Sequence, residues 1–468
     1  MTTDFTLISQ IALGLFIPVS IAMFFFMSPQ RAALVAILGG DMFLPELVNF
    51  KWPLLPQLGK HSLPYICTLI GCLLRGRRRT LKPIQEKWFV WLTVALVVGA
   101  VLTGLTNGDM VVIRKGAARA AGLDVKDGLY MGATFLSMVS LPFFLGCALF
   151  RSPKDFRFLI TGFVTAALIY VPFALFEIKM SPVWHSWIYG FGQNPFLQSI
   201  RYGGYRPLVF MSHGLSLARF LMAATCLAFV LGFMKGTLFG LRARPLGWFL
   251  LVVLILCKST GAIIFAVIAI PLLLWSKPRL QARLAVVLAS FVFLYPTIRT
   301  WDLLPTDKIV SVLQPIVGDE RTGSLQFRFD NENVFLERAR QRLLFGWGQY
   351  GRNFAATKDG SMAVPDGYWV IQIGELGVVG FIATFGPMLI PLFLTLRRMK
   401  RMALQMDRKM VAGMALTLGV VALDWVPNGL WAPYPYLLAG ALAGVTRELV
   451  LQGDRPDTWE IRPEQEFA

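Results

Sequence analysis

The chain has 468 residues, of which 56% are hydrophobic and only 15% are charged. A soluble protein of this size usually has about a quarter of its residues charged, so the composition excludes an ordinary soluble fold. Apolar segments long enough to cross a bilayer recur along the whole chain, and they predict an all-α, polytopic transmembrane helix bundle surrounded by lipid. The formal net charge of +18 does not point to nucleic acid, because much of it lies in short loops between apolar segments.

Hydropathy predicts about 12–14 membrane spans within a single integral membrane domain that covers residues 1–468. One candidate, 32–49, carries Asp41 and Glu46, which argues against a full crossing, and the candidates 62–74 and 247–257 are short. In chain order the candidate spans are 7–27, 32–49, 62–74, 88–105, 131–150, 157–177, 211–234, 247–257, 261–276, 284–298, 367–396, 410–426 and 431–447.

The basic loops all fall on one side of the bundle if the spans alternate, and the positive-inside rule assigns that side to the cytoplasm. The opposite side then receives a large loop, 299–366, which is expected to carry short helices, while the chain is expected to end in a cytoplasmic tail, 448–468. The basic loops are 75–87, 151–157, 235–244, 277–283 and 397–409.

The cysteines and histidines do not form a metal-binding or redox pattern. All five cysteines lie within apolar segments, and none has the C-x-x-C spacing of such a site. The three histidines are far apart in sequence, which argues against zinc. The chain is therefore expected to work without a metal or another cofactor.

A first group of candidate site residues lies before and within the central spans. Arg201 and Arg206 suit phosphate oxygens, although interfacial anchoring is an alternative interpretation. His213 lies at the membrane boundary and is either a satisfied polar residue or a site residue. Arg219 lies within a span, where a charge needs a polar cavity or a partner. Lys258 interrupts an apolar stretch, either as a simple turn between spans or as a functional residue.

A second group lies in the large loop, where six arginines recur along one polar stretch: Arg321, Arg328, Arg338, Arg340, Arg342 and Arg352. Such a run is usually a solvated face, but the positive-inside rule argues against so many cations outside without a use. Glycines follow at 346, 348 and 351. They predict either a close approach of the backbone to a bulky ligand or a sharp return of the chain.

Two carboxylates mark the start of the long apolar segment 367–396. Asp366 opens the segment, and Glu375 lies further in, where it needs a partner. A carboxylate at the depth of Glu375 is expected to have a raised pKa, which suits a general base for a sugar hydroxyl. The alternative for Asp366 is a helix N-cap, a position that aspartate strongly favours.

The order and spacing of these residues resemble the O-antigen ligase and polymerase superfamily. Its members are bacterial membrane glycosyltransferases of the GT-C type and include exopolysaccharide polymerases. The resemblance covers roughly residues 90–445. It is most specific where Ser324, Arg328 and the stretch Phe345-Gly-Trp-Gly348 match a serine, an arginine and a Gly-x-Gly of the family.

Two further spacings belong to the same resemblance. Arg340 and Gly351 match a basic-x10-Gly element, and Asp366 and Gly377 match a His-x10-Gly element with aspartate in place of histidine. In the ligases that histidine is the proposed base for the acceptor hydroxyl, so its absence favours a polymerase over a strict lipid A–core ligase. The weaker matches are Lys258, in a basic-Ser break between helices, and Arg206 with His213-Gly214.

The resemblance implies a substrate and a mechanism. The donor would be a glycan on undecaprenyl pyrophosphate at the periplasmic face of a bacterial inner membrane, and the acceptor would be a hydroxyl of a second lipid-linked repeat. Arginines would stabilise the pyrophosphate charge in place of a metal ion, and a carboxylate would take the acceptor proton, with inversion. A chain-length regulator and a flippase are the implied protein partners. The implied catalytic residues are Asp366, Glu375 and Arg328, and the implied pyrophosphate-binding residues are Arg201, Arg206, His213, Arg219, Lys258, Arg321, Ser324, Arg338 and Arg340.

Three alternative functions remain open at this stage. A ligase of the same superfamily differs only in its acceptor. A lipid-linked glycan transporter also needs a basic cavity, but it predicts internal repeats and midplane charges in both halves, and the sequence shows no such repeat. A non-catalytic scaffold gives no reason for so many charges at the outer ends of helices.

Overall fold

The computed structural model describes residues 6–50, 56–76, 81, 83–114, 118–234, 236–355 and 362–452. The chain is mostly helical, with 72% of the structure in helices and almost no strand. The strands in the described ranges form short antiparallel hairpins between neighbours in sequence. These pair Asn49–Phe50 with Leu58–Gly59, Val111–Arg114 with Ala118–Ala120, Ile200–Arg201 with Gly204–Tyr205, and Thr237–Leu238 with Leu241–Arg242.

The helices follow one another along the chain, and their longest connection runs between Arg340 and Tyr368. A π-helical turn, Leu136–Ser140, joins two of them into one continuous segment, and 3-10 turns lie at Phe196–Ser199 and Met399–Arg401. The α-helices are Leu7–Phe26, Pro29–Phe43, Leu63–Leu74, Lys87–Thr106, Val125–Phe135, Leu141–Leu149, Pro153–Met180, Trp184–Tyr189, Gly214–Gly232, Ala243–Leu256, Thr260–Trp275, Pro278–Thr300, Thr306–Val317, Asp319–Arg340, Tyr368–Arg398, Gln405–Asp424 and Tyr434–Gln452.

Seven helices in the described part of the chain are long and apolar enough to cross a membrane. They confirm the predicted helical membrane protein, and each coincides with a predicted span. They are Leu7–Phe26, Lys87–Thr106, Val125–Leu149, Pro153–Met180, Gly214–Gly232, Pro278–Thr300 and Tyr368–Arg401.

The remaining predicted spans are also helical, but they are shorter or more polar. The segment predicted at 32–49 is a helix of only 15 residues, Pro29–Phe43, and it ends before Glu46. The helix Gln405–Asp424 has 20 residues but begins with several charged ones. The total of about 12–14 spans therefore stays a prediction.

Close helix packing holds the centre of the fold together. The helices Leu141–Leu149 and Tyr434–Gln452 approach one another through Gly146 and Gly440. A Cβ atom added at Gly146 would lie 2.1 Å from the Leu437 carbonyl oxygen. Small residues at such contacts let helix backbones approach closely, which is a common way to pack helices in membranes.

The region predicted as a large loop, 299–366, carries two helices, Thr306–Val317 and Asp319–Arg340. The second, which we call the basic helix after its four arginines although it also carries five acidic residues, has 22 residues and is longer than the short helices expected there. It is held against the bundle by Phe335, Leu336 and Ala339, which are buried. The predicted tail 448–468 begins within the last helix, and residues 453–468 of it lie outside the described residues.

The helix Tyr368–Arg398 is broken at Gly377, where φ is 66° and ψ is −166°. We call it the broken helix. A break leaves amide and carbonyl groups without helical partners, and at membrane depth such groups need replacements. The segment 343–348 supplies them through four backbone hydrogen bonds. The Trp347 and Gly348 amides donate to the Gly374 and Glu375 carbonyl oxygens, each at 2.8 Å, and the Val378 and Val379 amides donate to the Leu343 and Leu344 carbonyl oxygens, at 2.8 and 3.3 Å.

Glycine is required where the two backbones meet. Gly346 has φ 68°, and a Cβ atom added to it would lie 2.5 Å from the backbone of Glu375. The sequence left two interpretations of these glycines, a close approach to a ligand or a sharp return of the chain. At Gly346 the structure shows the sharp return, because the backbone there packs against the broken helix. The Gly-x-Gly stretch thus positions Glu375 and the start of this helix.

Replacing Gly346 by alanine is expected to lower the free energy of unfolding by about 2–5 kcal/mol. The left-handed conformation contributes about 1–2 kcal/mol of this loss and the backbone overlap about 1–3 kcal/mol. Gly240→Ala is the matched control, because Gly240 has φ 76° but nothing within 4 Å of an added Cβ. Thermal unfolding of the purified variants in detergent measures the difference, and an equal loss in both variants would contradict the packing argument.

Candidate functional site

The structure brings together two of the predicted catalytic residues, Arg328 and Asp366. Arg328 lies on the basic helix and Asp366 just before the broken helix, and Arg328 Nε lies 3.6 Å from Asp366 Oδ2. The side chains are 41% and 30% exposed, respectively, so a ligand can reach both. An ion pair this exposed contributes little to folding. The pair is therefore better suited to binding and proton transfer than to holding the fold.

Asp366 is not a helix cap, so the N-cap interpretation is wrong. Gly367 occupies the N-cap position, and no side chain caps this helix. Burial raises the pKa of Asp366 above its usual value, and the nearby Arg328 lowers it in part. Ionised Asp366 is consequently a stronger base than a fully solvated aspartate, and Arg328 helps to keep it ionised.

The approach to Asp366 is fixed by Asn331 of the basic helix. The Val364 amide donates to Asn331 Oδ1 at 2.8 Å. The Asn331 Nδ2 group donates in turn to the Phe327 carbonyl oxygen at 2.7 Å. Asn331 is buried. It therefore ties the backbone two residues before Asp366 to the helix that carries Arg328.

A second ion pair lies beneath this site and was not predicted from the sequence. Arg299 is fully buried, and its Nε lies 3.0 Å from Glu332 Oε2. Tyr295 donates to the same carboxylate oxygen at 3.2 Å. Burial raises the pKa of Glu332, Arg299 lowers it, and Asp366 is close enough to raise it as well. An arginine directly after a predicted span is ordinarily an interfacial anchor, so the local sequence pattern contains little signal for this buried pair.

Three members of the first predicted group meet in a cluster around Lys258. Lys258 Nζ donates to the Arg201 carbonyl oxygen at 3.1 Å, and Arg206 donates to the Lys258 carbonyl oxygen at 3.2 Å. Lys258 has φ 54°, in a turn between two helices. The turn interpretation is thus confirmed, and the same turn brings a lysine and two arginines together.

His213 caps the helix Gly214–Gly232 and adjoins the Lys258 cluster. Its Nδ1 accepts a hydrogen bond from the Leu215 amide at 3.0 Å, so a proton on the neutral ring is on Nε2. Burial, followed by the charges of Arg206 and Arg201, lowers the pKa of His213 to about 4. The ring is therefore neutral at neutral pH and can donate one hydrogen bond without adding charge.

Arg219 is buried within its helix and has a charged partner, as a charge at that depth requires. Its Nε lies 2.5 Å from Asp424 Oδ2, and its Nη1 donates to the Leu430 carbonyl oxygen at 2.5 Å. Asn428 donates to the other Asp424 oxygen at 2.7 Å. The Nη2 group has no hydrogen-bond partner within the described ranges.

The connection between the last two described helices links Arg219 to Asp366. Arg219 binds this connection at Leu430. The neighbouring Gly429 packs on the chain just before the broken helix, since a Cβ atom there would lie 2.9 Å from the Pro365 carbonyl oxygen. Arg219 thus holds the connection that packs against the segment just before the broken helix.

A cluster around Trp347 uses other predicted arginines to hold the backbone. The guanidinium carbon of Arg338 lies 3.7 Å from the Trp347 ring centre, and that of Arg342 lies 4.2 Å from it. Arg342 also binds both oxygens of Asp109, at 2.8 and 2.9 Å. Arg352 is fully buried and donates to the Trp347 carbonyl oxygen at 3.0 Å. These contacts secure the segment that fills the break in the helix.

The remaining predicted site residues make no contact with Asp366 in the described part of the structure. Arg340 is exposed and donates to the Thr300 carbonyl oxygen at 2.7 Å, which anchors the end of the basic helix. Ser324 lies exposed on the same helix. The side chain of Arg321 lies outside the described part of the structure.

Glu375 lines a cavity beside the broken helix. The cavity wall includes Tyr368, Gln372 and Trp431. The Gln349 side chain makes a hydrogen bond with the Glu375 carboxylate. Glu375 therefore has the polar partner that the sequence required, and its carboxylate borders a space that a ligand group can enter.

A further charged cluster accounts for Asp41 and Glu46. Lys60 Nζ lies 3.1 Å from Glu46 Oε1, and His61 Nε2 lies 3.5 Å from Glu46 Oε2. Tyr65 donates to Asp41 Oδ2 at 2.8 Å. The sequence analysis noted the two carboxylates but not these partners, which lie beyond the end of the helix that carries Asp41.

The fold and these contacts define a helical membrane protein with a partly open arginine–carboxylate pair and a further group of cations around Lys258. The chain matches no protein-family model and no curated protein.

Proposed function

We propose that the protein is a polymerase that joins undecaprenyl-pyrophosphate-linked oligosaccharide repeats into an exopolysaccharide or O-antigen. The reaction takes place at the periplasmic face of a bacterial inner membrane, by inverting glycosyl transfer without a metal ion. The observation that carries the proposal is the partly open pair of Arg328 and Asp366. It combines a base for a hydroxyl with a cation for an anionic leaving group.

A second group of cations supports the choice of a pyrophosphate donor. Arg201, Arg206 and Lys258 are grouped in one cluster, and Arg219 holds the connection that packs against Pro365. Arginine binds phosphate oxygens in a bidentate manner and stays charged when partly buried. Fixed cations of this kind stabilise the charge that develops on a departing pyrophosphate.

The chemical step needs one base and no covalent intermediate. The acceptor hydroxyl oxygen attacks the anomeric carbon, the bond from that carbon to the pyrophosphate oxygen breaks, and the hydroxyl proton passes to the Asp366 carboxylate. The leaving group is undecaprenyl pyrophosphate, with Arg328 positioned to stabilise its charge. A direct displacement of this kind inverts the anomeric configuration.

Replacing Arg328 by glutamine is expected to shift the acid limb of the pH–rate profile to higher pH. Arg328 lowers the pKa of Asp366 against the larger effect of burial, so its loss raises that pKa further and a higher pH is needed to ionise the base. The rate of glycan elongation in membrane vesicles, measured against pH, checks the shift. Lys308→Gln is the control, because it removes an exposed positive charge from a neighbouring helix. An unchanged acid limb in Arg328→Gln would show that Arg328 does not influence the pKa of the catalytic base.

A deletion strain complemented with the wild-type chain tests the proposed function itself. Single repeats in the deletion strain and restored polymer on complementation support a polymerase. Polymer of normal length that is no longer attached to its lipid anchor identifies a ligase instead. Lipid-linked repeats that accumulate on the cytoplasmic face identify a transporter.

The break at Gly377 is the observation that most favours the transporter alternative. Discontinuous helices line substrate sites in many transporters, where the freed backbone groups bind the substrate. Here the segment 343–348 occupies the freed groups at Gly374 and Glu375. The break is therefore filled by the protein's own backbone and leaves these groups no free position for a substrate. The proposed polymerase site remains Arg328 and Asp366, at the start of the helix.

A further inference from the structure

A basic groove lies between the helix Pro278–Thr300 and the broken helix. It encloses a cavity of about 540 Å³. Its walls combine four cations with four apolar or sulphur-containing side chains. The cations are Arg279, Arg283, Arg397 and Lys400, and the other lining residues are Val286, Phe393, Leu396 and Met399.

The groove is separate from the site proposed above. Asp366 lies just before the first residue of the broken helix, whereas Arg397 and Lys400 lie at its last turn and beyond. That helix has 31 residues. At a rise of about 1.5 Å per residue, the groove and Asp366 lie at opposite ends of it.

The four cations carry an excess of positive charge. None of the lining side chains is a carboxylate. Within the described part of the chain, none of the four has an ion-pair partner. Crowded like charges repel one another, so the groove is electrostatically complementary to an anion.

The apolar wall narrows the kind of anion that fits. Val286 lies three residues beyond Arg283, and Phe393 lies four residues before Arg397, each toward the apolar part of its helix; Phe393 is 41% exposed. A small soluble anion would leave this wall in water. An amphiphile places its charged group on the cations and its hydrocarbon along the apolar side chains.

We propose that this groove binds an anionic phospholipid. Its phosphate group contacts Arg279, Arg283, Arg397 and Lys400, and an acyl chain lies along Val286, Phe393 and Leu396. Guanidinium groups hold phosphate oxygens in a bidentate manner, and basic pockets between membrane helices are typical binding sites for anionic head groups. A bound lipid would join the two helices at the end opposite Asp366.

The test measures retention of phosphatidylglycerol by the purified full-length chain, using native mass spectrometry in detergent. We expect Arg283→Gln and Arg397→Gln each to weaken binding about fivefold and the double variant roughly 30-fold, since each basic residue near an anionic surface contributes about this factor. Phosphatidylcholine is expected to bind weakly to every form. Arg242→Gln is the matched control, because Arg242 is exposed in another basic loop and does not line the groove.

Several results would overturn the proposal. Unchanged retention of phosphatidylglycerol in the double variant would place the lipid elsewhere. Competition by glycerol 3-phosphate at concentrations similar to the lipid would show a site for a soluble anion. Stronger retention of a polyprenyl phosphate than of phosphatidylglycerol would assign the groove to a substrate lipid. Each single variant removes one exposed charge, so folding is monitored by thermal unfolding and expected to stay unchanged.

Discussion

Replacing Asp366 by asparagine is expected to slow glycosyl transfer by about 100- to 10,000-fold, the usual contribution of a positioned general base. The amide cannot accept the proton of the acceptor hydroxyl, while its shape and most of its contacts are preserved. Asp366 is 30% exposed and its ion pair is open to solvent, so folding should be little affected. The measurements are the elongation rate in membrane vesicles and the abundance of the protein in the same membranes.

Asp330→Asn is the matched control for this variant. Asp330 is exposed on the basic helix, two residues from Arg328, and accepts a hydrogen bond from Gln326 at 2.9 Å. Its replacement removes the same charge without touching Asp366 and is expected to leave the rate unchanged. Normal elongation by Asp366→Asn together with loss in Glu375→Gln would transfer the role of base to Glu375.

The sequence predicted the helical character of the chain because apolar composition and segment length are local properties. It also predicted Arg328 and Asp366 as catalytic residues, which stays a prediction. It did not show that they are paired, since their contact depends on how the basic helix folds back over the bundle. The partner of Arg219 was missed for the same reason, because Asp424 is 205 residues away in the chain.

The break at Gly377 is a feature that the local sequence pattern does not predict at all. The stretch from Tyr368 to Arg398 has the composition of one continuous apolar helix. Only the docking of the segment 343–348 makes a break tolerable, because it supplies partners for the freed backbone groups. No window of sequence around Gly377 contains that information. Gly346 and Gly348 stand out in the sequence, but the sequence does not show which segment packs against them. They therefore indicate only a turn or a ligand contact.

Replacing Arg219 by methionine is expected to lower the free energy of unfolding by about 3–5 kcal/mol, the usual cost of breaking a buried ion pair by removing one partner. The variant leaves Asp424, whose side chain is 4% exposed, without its 2.5 Å partner. The double variant Arg219→Met with Asp424→Leu removes both charges and should recover most of this loss, because well-packed apolar residues often replace a buried pair without penalty. Thermal unfolding of the two single variants and the double variant measures the coupling. Equal loss in the double variant and in Arg219→Met would contradict a direct pair.

The same double variant separates the structural role of Arg219 from its predicted role in binding pyrophosphate. Two of the Arg219 nitrogens are held by Asp424 and Leu430, whereas Nη2 has no hydrogen-bond partner within the described ranges. A buried donor left without a partner costs about 1–3 kcal/mol, and a phosphate oxygen is a suitable acceptor for it. We therefore expect the double variant to fold but to require more donor for half-maximal elongation. If it folds and elongates normally, Arg219 serves only to join its helix to the connection that carries Leu430, and the cations available to the pyrophosphate reduce to Arg328 and the Lys258 cluster.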